Sequence, residues 1–171
     1  MSIKLAALTN TQALNTQIAL YSVAFLFPLL YHGNQLFLGS LVNLILFIGA
    51  RTMNRGQLVG LVVLPSLAAV GNGVLFGSLT PFLIYLLPFI WVGNWIMVSL
   101  AQTSLSASVR VGLAASGKAL FLYLAAQLLF NLGLVPALFL TAMGVVQLVT
   151  ALFGGAAVIG LEKIGAIKYE R

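Results

Sequence analysis

The chain has 171 residues, of which 61% are hydrophobic and only 6% charged, and its mean hydropathy is +1.12. Soluble domains carry about 25% charged residues, so two acids and eight bases are too few to cover a water-facing globule. Cysteine is absent, which excludes disulfides, Cys-ligated zinc and Cys-bound iron–sulfur clusters. The composition is that of an all-α integral membrane protein.

A helix that crosses the hydrocarbon core takes about 20 mostly apolar residues, so six crossings use about 120 and leave about 50 for loops and tails. Six apolar runs are predicted, at residues 14–31, 36–50, 57–76, 81–100, 109–130 and 136–161. His32-Gly33-Asn34-Gln35 separates the first two, and Asn54-Arg55-Gly56 the second and third. Gly77-Ser78-Leu79-Thr80-Pro81 precedes the fourth run, and Asn131 to Pro136 precedes the sixth, each with proline at the expected helix start. A polar stretch from Gln102 to Ser108 separates the fourth and fifth. The runs are too long and too evenly apolar for barrel strands, which alternate over about 10 residues. The first run is read as a helix rather than a cleaved signal, because Leu30 is followed by Tyr31-His32-Gly33 and not by a small-x-small site. The connections are short enough to make neighbouring helices antiparallel, within one transmembrane domain over residues 1–171.

Charge gives an independent test of the count. Lysine and arginine favour the cytoplasmic side of short loops. With both termini inside, Lys4, Arg51, Arg55, Arg110, Lys163, Lys168 and Arg171 all fall on the inner side, and the outer loops hold no base. The expectation is a multi-pass protein of the plasma membrane with both termini cytoplasmic. The basic balance reads as topology and contact with anionic lipid head groups rather than nucleic-acid binding, since no basic stripe lies on a soluble surface.

Polar groups within hydrocarbon are costly and therefore informative. Asn43, Asn94, Lys118 and Gln147 fall near the middle of four different runs, with Trp91 one turn from Asn94. Lys118 is the base that topology does not explain. An ammonium at this depth costs roughly 2.5–3.5 kcal/mol on insertion scales. The two acids, Glu162 and Glu170, are both near the C-terminus. Three readings stand for Lys118. It faces a cavity and meets an anionic ligand; it snorkels or bonds Gln147, Asn94 or backbone carbonyls; or it reaches Glu162 through a bend in the sixth run. The three amides are helix-to-helix hydrogen bonds or ligand contacts. Ala151/Gly155 and Ala156/Gly160 are small-xxx-small pairs, suited to packing within the bundle or against another membrane subunit. Pro65 and Pro88 interrupt the third and fourth runs. His32, in the first outer connection, is either solvated or part of a lid.

The predicted bilayer contains no Asp, Glu, His or Cys, so there is no carboxylate pair for acid–base work and no metal cluster. Ser116 and Lys118 point to different helix faces, against a serine–lysine hydrolase. No Walker motif is present, and no cofactor is expected. The chain is not read as an enzyme.

Five segments carry a resemblance: residues 39–47, Leu64-Pro65-Ser66-Leu67, Pro88-Phe89-Ile90-Trp91-Val92-Gly93-Asn94, Gly117-Lys118-Ala119-Leu120-Phe121-Leu122, and residues 147–155. In this order they resemble a family of small bacterial membrane proteins often labelled "iron hydrogenase". Without cysteine, the iron–sulfur chemistry of that label has no ligands here. More loosely, the layout resembles the substrate-binding S components of energy-coupling-factor vitamin transporters. That resemblance implies a six-helix bundle with both termini inside and an outward cavity built largely by the last three helices. It also implies a transmembrane T component and cytoplasmic ATPases as partners. Many S components carry an Ala-xxx-Ala pair on the first helix, whereas Ala19 and Ala24 are five apart.

The expectation is a substrate-binding subunit of a small-molecule, vitamin-like importer. Trp91 would stack on the ligand, Asn94, Gln147 and Asn43 would bond its polar edges, and Lys118 would meet an acid group. The alternative is a structural or accessory membrane protein that binds a partner through its small-residue faces.

Overall fold

The computed structural model describes residues 2–166, with side chains from residue 14 onward, and every regular element among them is helical. The helices are α1 (Ser2–Leu30), α2 (Gln35–Thr52), α3 (Arg55–Asn72), α4 (Leu83–Ala101), α5 (Ala107–Asn131), α6 (Leu138–Met143) and α7 (Val145–Lys163), with a 3-10 turn at Gly77–Phe82 before α4. Lys168, Glu170 and Arg171 lie outside the described residues.

The helix boundaries follow from local chemistry. Asn34 caps α2, its side-chain oxygen accepting from the backbone N–H groups of Leu36 and Phe37 at 2.7 and 3.3 Å. Asn54 and Gln57 form a reciprocal capping box at the start of α3, with both bonds at 3.0 Å. Gly73 ends α3 in the left-handed region at φ 76°, a conformation that glycine adopts without a Cβ penalty. The third helix therefore stops short of residue 76. Pro81 falls in the 3-10 turn rather than in the first turn of α4. Thr80 closes that turn by accepting from the Phe76 N–H and donating to the Gly77 carbonyl, both at 2.9 Å. At the other extreme, α1 continues upstream of residue 14 through a segment too polar for an apolar-run count to include.

The sixth apolar run is two helices. The break is at Gly144, with φ −95° and ψ −95°. A Cβ there would lie 2.9 Å from the Leu140 carbonyl and 3.0 Å from the Tyr123 ring, so the position needs a residue without a side chain.

Four segments are long and apolar enough to cross a membrane: Gln35–Thr52, Gly77–Ala101, Ala107–Asn131 and Leu138–Lys163. The part of α1 with described side chains, Leu14–Leu30, is a shorter apolar helix. In α3, Arg55, Gln57 and Asn72 dilute the apolar character of 18 residues. The outer surface of the bundle is apolar, and a few polar side chains lie within its largely apolar interior. Leu120, Leu124, Leu128, Val145 and Phe153 point outward, while Asn43, Asn94, Lys118 and Thr150 are buried.

Helix α2 packs on α7, α4 on α5, α1 on α3, and α5 on α7. The core falls into two apolar clusters. One gathers Phe47, Leu58, Leu61, Met97, Ala114 and Val158 toward the end that carries Arg51 and Arg110. The other gathers Leu83, Leu86, Leu122, Leu129, Val135 and Phe139 toward the opposite end. The sequence positions of Asn94 on α4 and Lys118 on α5 put a polar layer between these clusters.

Candidate functional site

The polar layer depends on close contact between α2 and α7. Gly154 lies against the α2 backbone, where a Cβ would stand 2.6 Å from the Leu44 nitrogen and 2.9 Å from the Ser40 oxygen. Gly39 faces Thr150 in the same way, at 2.9 Å to its Cγ2. These two glycines bring the side chains of Asn43 and Thr150 within hydrogen-bond reach.

The resulting chain of hydrogen bonds has a fixed direction. Thr150 donates its hydroxyl hydrogen to the Gln147 carbonyl at 3.2 Å, so its oxygen accepts from Asn43 Nδ2 at 3.0 Å. That turns Asn43 Oδ1 toward α5, where it accepts from Lys118 Nζ at 2.6 Å. Lys118 is 2% exposed, and Asn43 is its sole hydrogen-bond partner among the described residues. An ammonium has three donors, so two remain.

Asn94 supplies the complementary group. Its Nδ2 donates to the Val62 carbonyl at 2.9 Å. A carbonyl only accepts, so the amide nitrogen must face Val62 and Oδ1 must face away. Asn94 is 2% exposed, and Oδ1 has no donor among the described residues. A buried acceptor left without a partner costs about 1–3 kcal/mol, which makes it a marked feature of the site.

Asn43, Asn94, Lys118 and Gln147 line one cavity of about 100 Å³ among α2, α3, α4, α5 and α7. Leu38, Val42, Leu87, Ile90 and Val146 make much of the remaining wall apolar, while Ser66 and Thr150 add hydroxyls. The cavity extends toward Gln35, Leu75 and Phe76, at the helix ends opposite Arg51. The space is small, since sites for drug-sized ligands span roughly 300–1,000 Å³.

Four of the five residues singled out in the sequence thus meet at one cavity. Trp91 stands outside its lining. The indole Nε1–H donates to Ser66 Oγ at 2.8 Å, and Ser66 in turn donates to the Val63 carbonyl at 2.9 Å. Trp91 therefore orients a cavity hydroxyl from behind rather than presenting a face to the space. Sequence reading did not single out Thr150 or Gln35. Thr150 is one helical turn from Gln147, and that i, i+3 spacing is the signal that it shares a face with the site.

Glu162 is engaged elsewhere. Its Oε1 pairs with Arg51 Nε at 2.8 Å and lies 3.7 Å from Arg110 Nη2. Arg51 Nη1 also donates to the Ala101 carbonyl at 2.6 Å. This cluster ties α2, α4, α5 and α7 at the end of the bundle away from the cavity mouth. Lys118 meets no acid among the described residues.

The small-residue pairs divide by face. Ala151 and Gly155 point inward, with Gly155 against Val111 and Phe47. Ala156 and Gly160 face outward, and nothing lies within 4 Å of a Cβ built at Gly160. His32 is exposed in the connection between α1 and α2. Among the described residues, no group of three His, Cys, Asp or Glu could hold a metal ion.

The cavity is lined by the Lys118 amine, the amides of Asn43, Asn94 and Gln147 and an apolar wall, which suits a small molecule with a polar end and an apolar body. Comparison with family models, with curated proteins and with solved structures finds no match for this chain.

Proposed function

We propose that this protein is the substrate-binding membrane subunit of a small-molecule importer. The observation that carries the reading is the cavity in which Lys118, Asn43, Asn94 and Gln147 converge, with the Lys118 charge unmatched by any described acid. An ionisable residue inside a membrane bundle is a functional pointer by default. The proposed topology is six crossings with both termini in the cytoplasm, α6 and α7 together making the last. In that frame the cavity mouth faces outward and the Arg51–Glu162 cluster closes the inner end. The proposed energy source lies in other subunits, a transmembrane T component and cytoplasmic ATPases, because this chain carries no nucleotide-binding motif.

The test is recovery of a ligand. Protein purified from native membranes is extracted, and its small molecules are identified by mass spectrometry. A compound retained by the wild type and lost from Lys118→Met supports capture at this site. Absence of any such compound, together with unaltered uptake by cells lacking the protein, removes the proposal. The outward Ala156–Gly160 face supports a rival reading, an accessory protein that binds a membrane partner. Under that reading Gly160→Leu releases a co-purifying subunit, while Lys118→Met leaves it bound.

A further inference from the structure

We infer that the cavity selects a small monocarboxylate bearing one neutral hydrogen-bond donor, such as a short hydroxy acid, with the carboxylate at Lys118 and the donor at Asn94. This rests on the substrate-binding reading above and names its substrate class.

Three observations lead to it. The first is charge. Lys118 Nζ has two donors to spare, and Glu162 is engaged by Arg51 and Arg110 at one end of the bundle. Among the described residues no acid meets Lys118, and an anionic occupant supplies the missing charge. A carboxylate is the simplest group that takes two N–H donors, and charge-assisted hydrogen bonds are the strong ones.

The second is the direction of Asn94. Its amide nitrogen is held by the Val62 carbonyl, so the group left without a partner among the described residues is the acceptor Oδ1. A plain fatty acid has no donor to satisfy it. A hydroxyl or a neutral N–H does. An ammonium would also donate, but a zwitterion brings a second cation into a low-dielectric space that already holds Lys118, and its net charge leaves that lysine unmatched.

The third is size. A cavity of about 100 Å³ with a mainly apolar wall admits a handful of heavy atoms, so the two polar ends are joined by a short carbon chain. Sites that hydrogen-bond a substrate hydroxyl reject the analogue lacking it, because the buried polar group is then left unpaired.

The probes are 2-, 3- and 4-hydroxybutyrate, butyrate, 4-hydroxybutanamide and 4-aminobutyrate, measured by equilibrium dialysis against the full-length protein in detergent. The three hydroxy isomers sample the separation between carboxylate and donor. At least one isomer is expected to bind about tenfold or more tighter than butyrate and than the amide, with 4-aminobutyrate weaker than that isomer. Asn94→Leu should erase the advantage over butyrate and keep the advantage over the amide. Lys118→Met, and Lys118→Gln as the polar control, should do the reverse. Only variants that elute as single symmetric peaks in gel filtration are compared. Tighter binding of the amide or of 4-aminobutyrate overturns this substrate class while leaving small-molecule capture standing. Should no probe bind, the molecule recovered from membrane extracts decides: a neutral or cationic compound overturns the class alone, and recovery of none, together with unaltered uptake by cells lacking the protein, overturns the capture reading with it.

Discussion

The amine of Lys118 on α5 donates to the amide oxygen of Asn43 on α2 at 2.6 Å, joining positions 75 residues apart. The bond has a cost structure that mutants can read. Asn43→Leu leaves a buried ammonium without its acceptor, and Lys118→Met leaves a buried amide oxygen without its donor. Each single change is expected to destabilise by about 1–3 kcal/mol. The double variant removes both partners of this bond together, and its remaining loss is that of the Asn43–Thr150 hydrogen bond, about 0.5–1.5 kcal/mol. The expected result is strong non-additivity, a coupling of at least about 1 kcal/mol, in denaturant unfolding of the detergent-solubilised protein. Additive losses would mean that the two side chains do not support each other.

Much of this site was legible in the sequence because polar residues are scarce there. In a chain with 6% charge, an amide or amine within an apolar run stands out, and Asn43, Asn94, Lys118 and Gln147 announce themselves by depth alone. Depth does not give rotation about the helix axis. Trp91, three positions before Asn94, is close in sequence yet donates to Ser66 from outside the cavity. The partner of Lys118 was equally hidden, since Thr150, which meets Asn43 across the Gly39 and Gly154 contacts, takes the amide nitrogen and turns the amide oxygen toward the lysine. The break at Gly144 also escaped, because the apolar run continues through it and hydropathy carries no record of a backbone turn.

Gly154 and Gly160 provide a matched pair for testing which small-residue face holds the bundle together. A Cβ at 154 would stand 2.6 Å from the Leu44 nitrogen and 2.9 Å from the Asn43 carbonyl carbon, backbone atoms that cannot move aside alone. Gly154→Ala is expected to push α2 from α7 and destabilise by about 1–3 kcal/mol, the range for overpacking. It should also weaken ligand binding, because the Asn43–Thr150 bond spans the same contact. Gly160→Ala meets open space, and relief of glycine's backbone entropy makes it neutral or stabilising by up to about 1 kcal/mol. Thermal melts of the two variants, run side by side, separate the faces. Equal losses would show that the outward face also packs.

Glu162 is the acid shared by two buried arginines, Arg51 and Arg110. Glu162→Gln keeps the shape and removes the negative charge, leaving two desolvated guanidinium groups facing an amide. Breaking a buried pair costs about 3–5 kcal/mol, and partial exposure of the Glu162 side chain reduces that to roughly 1–3 kcal/mol here. Arg55→Gln, at an exposed position on the same side, is expected to change stability by less than about 0.5 kcal/mol. If the two variants melt together, the cluster does not stabilise the bundle.

The proposed six-crossing topology can be tested directly because the chain has no cysteine, so a single introduced thiol is the only one to label. Four exposed positions bracket the connections: His32 and Leu132 beside the proposed outer surface, Arg55 and Ser104 beside the proposed inner one. In whole cells a membrane-impermeant maleimide is expected to label His32→Cys and Leu132→Cys. Arg55→Cys and Ser104→Cys should react only after the membrane is opened. The basic residues argue for this orientation, since Arg51, Arg55, Arg110 and Lys163 all sit at one end of the bundle and the cavity mouth at the other. Labelling of Arg55→Cys in intact cells would invert the orientation and turn the cavity toward the cytoplasm, where it could not capture a molecule from outside. Labelling of His32→Cys without Leu132→Cys would instead show that the number of crossings between them is odd.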